Sequence, residues 1–154
     1  MEKFRKDVKQ LLEKIRLAEM DRKVEVFLAV VWRNEVELPS DKKSTAKQFW
    51  EMLNKESEKM RYAWKDWLFS ITSQKMDKEK INEKTKKVDE ALQSLENTID
   101  KILENKNQLS KNEEKVFNDL KNSIKKIKTT WEGIKKMEKI ESKLPNSNFP
   151  GVRE

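Results

Sequence analysis

Phe27-Leu28-Ala29-Val30-Val31-Trp32 is the one run in this 154-residue chain that is apolar on every side of a helix. Six residues are too few to cross a bilayer, and Glu25, Arg33 and Glu35 stand close on either side. A water-facing protein must therefore wrap this run with other elements, and it reads as the centre of a core. Aspartate at either Val30 or Val31 is then expected to unfold the protein, because a charge there has no partner.

Outside the run the apolar residues are striped. Phe4, Val8, Leu11, Ile15 and Ala18 recur at alternating spacings of four and three, and Met20, Val24, Phe27 and Val31 continue the rhythm on a shifted row. That is helical periodicity, and it predicts a first helix over 3–36 that stops before Pro39. Thr45-Ala46-Lys47-Gln48 reads as a capping box, followed by a row of Phe49, Leu53, Met60, Trp64, Trp67, Leu68 and Ile71. The second helix is expected over 46–73. Its aromatic richness fits core packing, and a ligand or partner groove lined by Trp50 and Trp64 is the alternative.

Ser70, Thr72, Ser73 and Gln74 interrupt the pattern. Ile81, Val88, Leu92, Leu95, Ile99 and Ile102 then place a third helix at 77–104. Ser110-Lys111-Asn112-Glu113 supplies a further capping box for a fourth helix over 111–144. Its row is Phe117, Leu120, Ile124, Ile127, Trp131 and Ile134, with Gly133 inside at a cost of about 1 kcal/mol relative to Ala. The expected fold is all-α, an antiparallel up-down four-helix bundle over 1–144 with a loose tail at 145–154. In the alternative, the second and third segments form one bent helix, giving three long helices.

Composition limits the chemistry. With 41% charged and 35% hydrophobic residues the chain would suggest disorder if its apolar residues were scattered, and their regular rows override that. Cys and His are both absent, which removes thiolate nucleophiles, imidazole acid-base chemistry and the usual transition-metal ligands. An enzyme is disfavoured, and no cofactor or metal is expected. The start Met-Glu-Lys-Phe-Arg lacks the apolar core of a signal peptide.

A formal charge of +7 favours acidic partners in a general way. Residues 111–144 hold ten Lys against six acids, whereas 77–104 hold six Lys against eight. Lys121, Lys125, Lys128, Lys135 and Lys139 share one stripe of the fourth helix and are the candidate partner-binding residues. A solvated face beside a bundle seam is the plainer reading of the same stripe. Nucleic acid is disfavoured, since Arg is scarce and no aromatic residues interleave with the stripe.

The Lys-, Glu- and Asn-rich stretches Asn105-Lys-Asn-Gln-Leu-Ser-Lys-Asn-Glu-Glu-Lys and Trp131-Glu-Gly-Ile-Lys-Lys-Met-Glu-Lys-Ile-Glu-Ser-Lys-Leu resemble the ectodomains of Borrelia outer-surface lipoproteins, nearest the OspEF-related (Erp/Elp) group. The resemblance is one of style over most of the chain. It implies a module on the outer face of a cell that binds a host serum or matrix protein, with complement proteases and regulators foremost. The lipid-attachment cysteine of that group is not among these residues. A thinner resemblance, to Trp-bearing helical proteins exported by malaria parasites, lacks their tryptophan spacing. The alternative function is an intracellular helical scaffold whose seams pair with another helical chain.

Overall fold

A computed structural model describes residues 2–36, 45–72 and 77–143. They form α1 (Glu2–Val36), α2 (Thr45–Thr72), α3 (Lys78–Glu104) and α4 (Lys111–Lys143), with one 3-10 turn at Lys106–Gln108. The fold is all-α with four helices, each within two residues of the expected bounds.

Local chemistry explains where two of these helices begin. Asp77 is extended at φ −81° and ψ 164°, and its carboxylate accepts from the Lys80 N–H at 2.9 Å. This N-cap starts a new helix, so α2 and α3 are separate and the three-helix alternative does not hold. Ser110 and Glu113 form the reciprocal box expected of them. The Glu113 N–H donates to Ser110 Oγ at 3.1 Å, and the Ser110 N–H donates to Glu113 Oε1 at 2.8 Å. Thr45, expected as a cap, is already the first helical residue, and its side chain lies outside those described.

The chain divides into two compact units, residues 23–125 and residues 1–22 with 126–154. The tail at 145–154 lies outside the described residues. In the unit 23–125 all four helices contribute one row each. Val24, Phe27 and Val31 of α1, Trp50, Leu53, Met60, Trp64 and Trp67 of α2, Val88, Leu92, Leu95, Ile99 and Ile102 of α3, and Phe117, Leu120 and Ile124 of α4 are all buried. Trp50 stacks on Phe117 with centroids 4.4 Å apart, and Trp64 stacks on Trp67 at 5.6 Å. Such pairs add to the area they bury. The two tryptophans weighed as a groove are thus core residues.

Antiparallel α2 and α3 are stitched by polar groups at the edge of this core. Trp67 Nε1 donates to Thr85 Oγ1 at 2.9 Å, Lys84 reaches Asp66 at 2.6 Å, and the Ser94 hydroxyl donates to Glu56. That last bond holds the Glu56 carboxyl below its ordinary range, with burial opposing it and Lys59 and Lys55 assisting. Ser57 and Ser70 are buried yet satisfied, each hydroxyl donating to the carbonyl four residues earlier.

In the other unit Met20, Ile127, Trp131 and Ile134 are buried. Gly133 lies beside α1, where an added Cβ would meet Arg16 Nη1 at 3.5 Å, an ordinary contact. No close packing requires the glycine.

The expectation that the run 27–32 is wrapped on all sides fails here. Within the run 27–32 only Phe27 and Val31 are buried, whereas Val30 is 36% and Trp32 60% exposed. In the first row Val8, Leu11, Ile15 and Ala18 are exposed too, with Leu11 at 58% and Ile15 at 53%. A helix lying against a bundle buries one stripe, so an all-round apolar run must leave half of itself outside.

These observations separate two substitutions that the sequence treats alike. Val31→Asp should prevent folding or cost about 4 kcal/mol or more, whereas Val30→Asp should stay within about 1 kcal/mol of the parent in chemical denaturation. Gly133→Ala should raise the thermal midpoint, through a gain of up to about 1 kcal/mol in helix propensity, as read by far-UV circular dichroism.

Candidate binding surfaces

The lysine stripe of α4 is engaged within the chain. Lys121 Nζ lies 2.8 Å from Asp100 Oδ1 of α3, and this hydrogen-bonded pair raises the Lys121 pKa above its ordinary value. A raised lysine pKa means the pair's contribution is complete at neutral pH and is lost only as pH rises through the folded value. Lys135 Nζ lies 2.9 Å from Glu132 one turn earlier. Exposed Lys125 and half-buried Lys128 have interactions as well, and the Lys139 side chain lies outside those described. Lys121 and Lys125 fall in the unit 23–125, while Lys128, Lys135 and Lys139 fall in the other. The stripe thus contains ion pairs at Lys121 and Lys135.

A different surface stands out on α1 and α2 within residues 23–125. Glu25 Oε2 accepts from Arg61 Nε at 2.6 Å and lies 3.9 Å from Lys65 Nζ, which ties the two helices at their outer seam. Beside this ion cluster α2 presents Tyr62, 75% exposed, and Phe69, 72% exposed. Seven residues separate them, so they share a face about 10 Å apart along the axis. Trp32 stands seven residues past Glu25 and projects from the same face of α1. Exposed aromatic side chains therefore stand within about two turns of this ion cluster on both helices.

The apolar run places Trp32 in the core by its neighbours, and Tyr62 and Phe69 lie off the apolar row of α2. A signal was nonetheless present. Trp32 is displaced by about a quarter turn or more from the row Met20, Val24, Phe27 and Val31, and large aromatics off a buried row must meet solvent or a partner.

No protein family, curated protein or solved structure was found to match this chain. Among the described residues no group of three or more acidic side chains is placed to hold a metal ion. No helix there is long and apolar enough to cross a membrane.

If Lys121 serves the fold, charge reversal will show it. Lys121→Glu places a carboxylate beside Asp100 and should lower the thermal midpoint at low ionic strength, with a smaller loss in high salt. Melting curves at two salt concentrations measure this directly.

Proposed function

We propose that this protein is a non-enzymatic binding module that engages another protein across the α1–α2 face bearing Trp32, Tyr62 and Phe69. One observation carries the reading. Four of the five tryptophans are buried, yet the fifth is 60% exposed and flanks a seam with two further exposed aromatics. Trp, Tyr and Arg supply most of the binding energy in protein interfaces, because each offers large area and directed polar groups at low entropic cost. The absence of Cys and His supports a binding role over catalysis.

The resemblance to spirochaete surface lipoproteins supports a more specific proposal: a module on the outer surface of a cell, anchored by lipid outside these residues, whose partner is a host serum or matrix protein. A complement component is favoured. The net charge of +7 would steer an acidic partner toward the module, with the α4 lysines adding to the field more than to the contact. The scaffold reading is favoured by a separate feature, the exposed apolar row on α1.

Surface plasmon resonance against purified complement and matrix proteins tests this. Where a partner binds, changing Trp32, Tyr62 and Phe69 together to Ser should weaken it at least about tenfold, or ~1.4 kcal/mol, without loss of helicity. Changing Lys121, Lys125, Lys128 and Lys135 to Glu should mainly slow association, in a salt-dependent way. The opposite ranking transfers the contact to the lysine stripe.

A further inference from the structure

The exposed row at the start of α1 has a stricter pattern than solvent requires. Val8, Leu11, Ile15 and Ala18 are spaced three, four and three residues apart, and all are exposed. Half-buried Glu13 and Leu17 and buried Met20 lie on the other half of the helix. The row therefore belongs to a second seam, distinct from the face that α1 turns inward.

The residue types at this seam are selective. Read as a heptad, Val8 and Ile15 take the a positions and Leu11 the d position, with Ala18 at the next d and 51%-exposed Leu12 at e. β-branched residues at a with Leu at d favour a parallel, two-stranded coiled coil. In that arrangement each g residue faces the e residue five positions later in the other strand. Here Lys14 at g would face Glu19 at e of the second strand, an opposite-charge pair formed twice by symmetry. Both side chains are exposed. Arg22, at the following a position, ends the apolar seam.

We propose that this face is a homodimer interface, in which α1 residues 8–18 of two copies pair in parallel register. The occupant is a second copy because the pattern is self-complementary about a two-fold axis: equal residues meet at each layer, and the flanking charges attract in that register. About one and a half heptads would not hold two free peptides together, but each helix is already formed, so pairing costs little ordering. The contact is small against a standard interface, and the dimer is therefore weak and reversible. It goes beyond the proposed binding face and uses none of its residues. A dimer would present that face twice and bind a repetitive partner surface with added avidity.

The test is sedimentation of the full chain over roughly 1 to 500 μM, a range suited to a small interface. Monomer and dimer should exchange with concentration. Leu11→Asp with Ile15→Asp should abolish the dimer while leaving the thermal midpoint unchanged, since both side chains are already outside the core. Lys14→Glu should weaken association several-fold, and adding Glu19→Lys should restore it. Because the chain has no native cysteine, Ala18→Cys supplies a single thiol at a d layer. In parallel register it should oxidise to a disulfide-linked dimer. A chain that stays monomeric throughout overturns the proposal. So does a dimer that survives the Leu11 and Ile15 changes, or one in which the thiol at 18 fails to cross-link. If the monomer instead sediments with anionic phospholipid vesicles through this row, the face belongs to a lipid surface and the proposal falls.

Discussion

A helix packed against a bundle can bury one apolar stripe, and α1 carries apolar residues on more than one. The apolar surface of α1 follows from that mismatch. The row Met20, Val24, Phe27 and Val31 goes inward, and Val8, Leu11 and Ile15, then Val30 and Trp32, are left outside. The other three helices each have one dominant row and spend it on the core. Among the described residues, the large apolar side chains they leave exposed are Met52, Tyr62 and Phe69 of α2.

Within residues 23–125 the core is dense in aromatic rings, and that density sets how precisely the helices must meet. Trp50 on Phe117 and Trp64 beside Trp67 are flat, large side chains whose stacking tolerates little sliding. Polar groups at the rim then fix the register: Thr85 takes the Trp67 N–H, Asp66 takes Lys84, and Asp100 takes Lys121. These groups explain why charges along the α3 and α4 edges do more than solvate the protein. They also show that part of the basic stripe of α4 is paired within the chain, since Lys121 meets Asp100 of the next helix.

Much of the fold was legible. Four helices, their order and the capping at Ser110 follow from period, proline placement and short polar side chains, all of them local effects. The core rows of α3 and α4 were legible for the same reason, each helix offering a single stripe, whereas in α2 Trp50 is buried and Phe49, Leu68 and Ile71 of the expected row are only half-buried. The candidate site was not legible. Trp32 was hidden inside an apolar run, and Tyr62 and Phe69 became informative only once Glu25, Arg61 and Lys65 located the seam between α1 and α2.

The sequence by itself determined which segments are helical and where most of the α3 and α4 core residues lie, because those depend on a residue's neighbours within a few turns. Tertiary structure decided which of the α1 stripes is buried, since period and hydrophobicity are nearly the same on both and only the available neighbours distinguish them. It also decided that Lys121 is a partner of Asp100. Two side chains from different helices meet at 2.8 Å only after the backbones are in place, and no spacing along one chain segment encodes that distance.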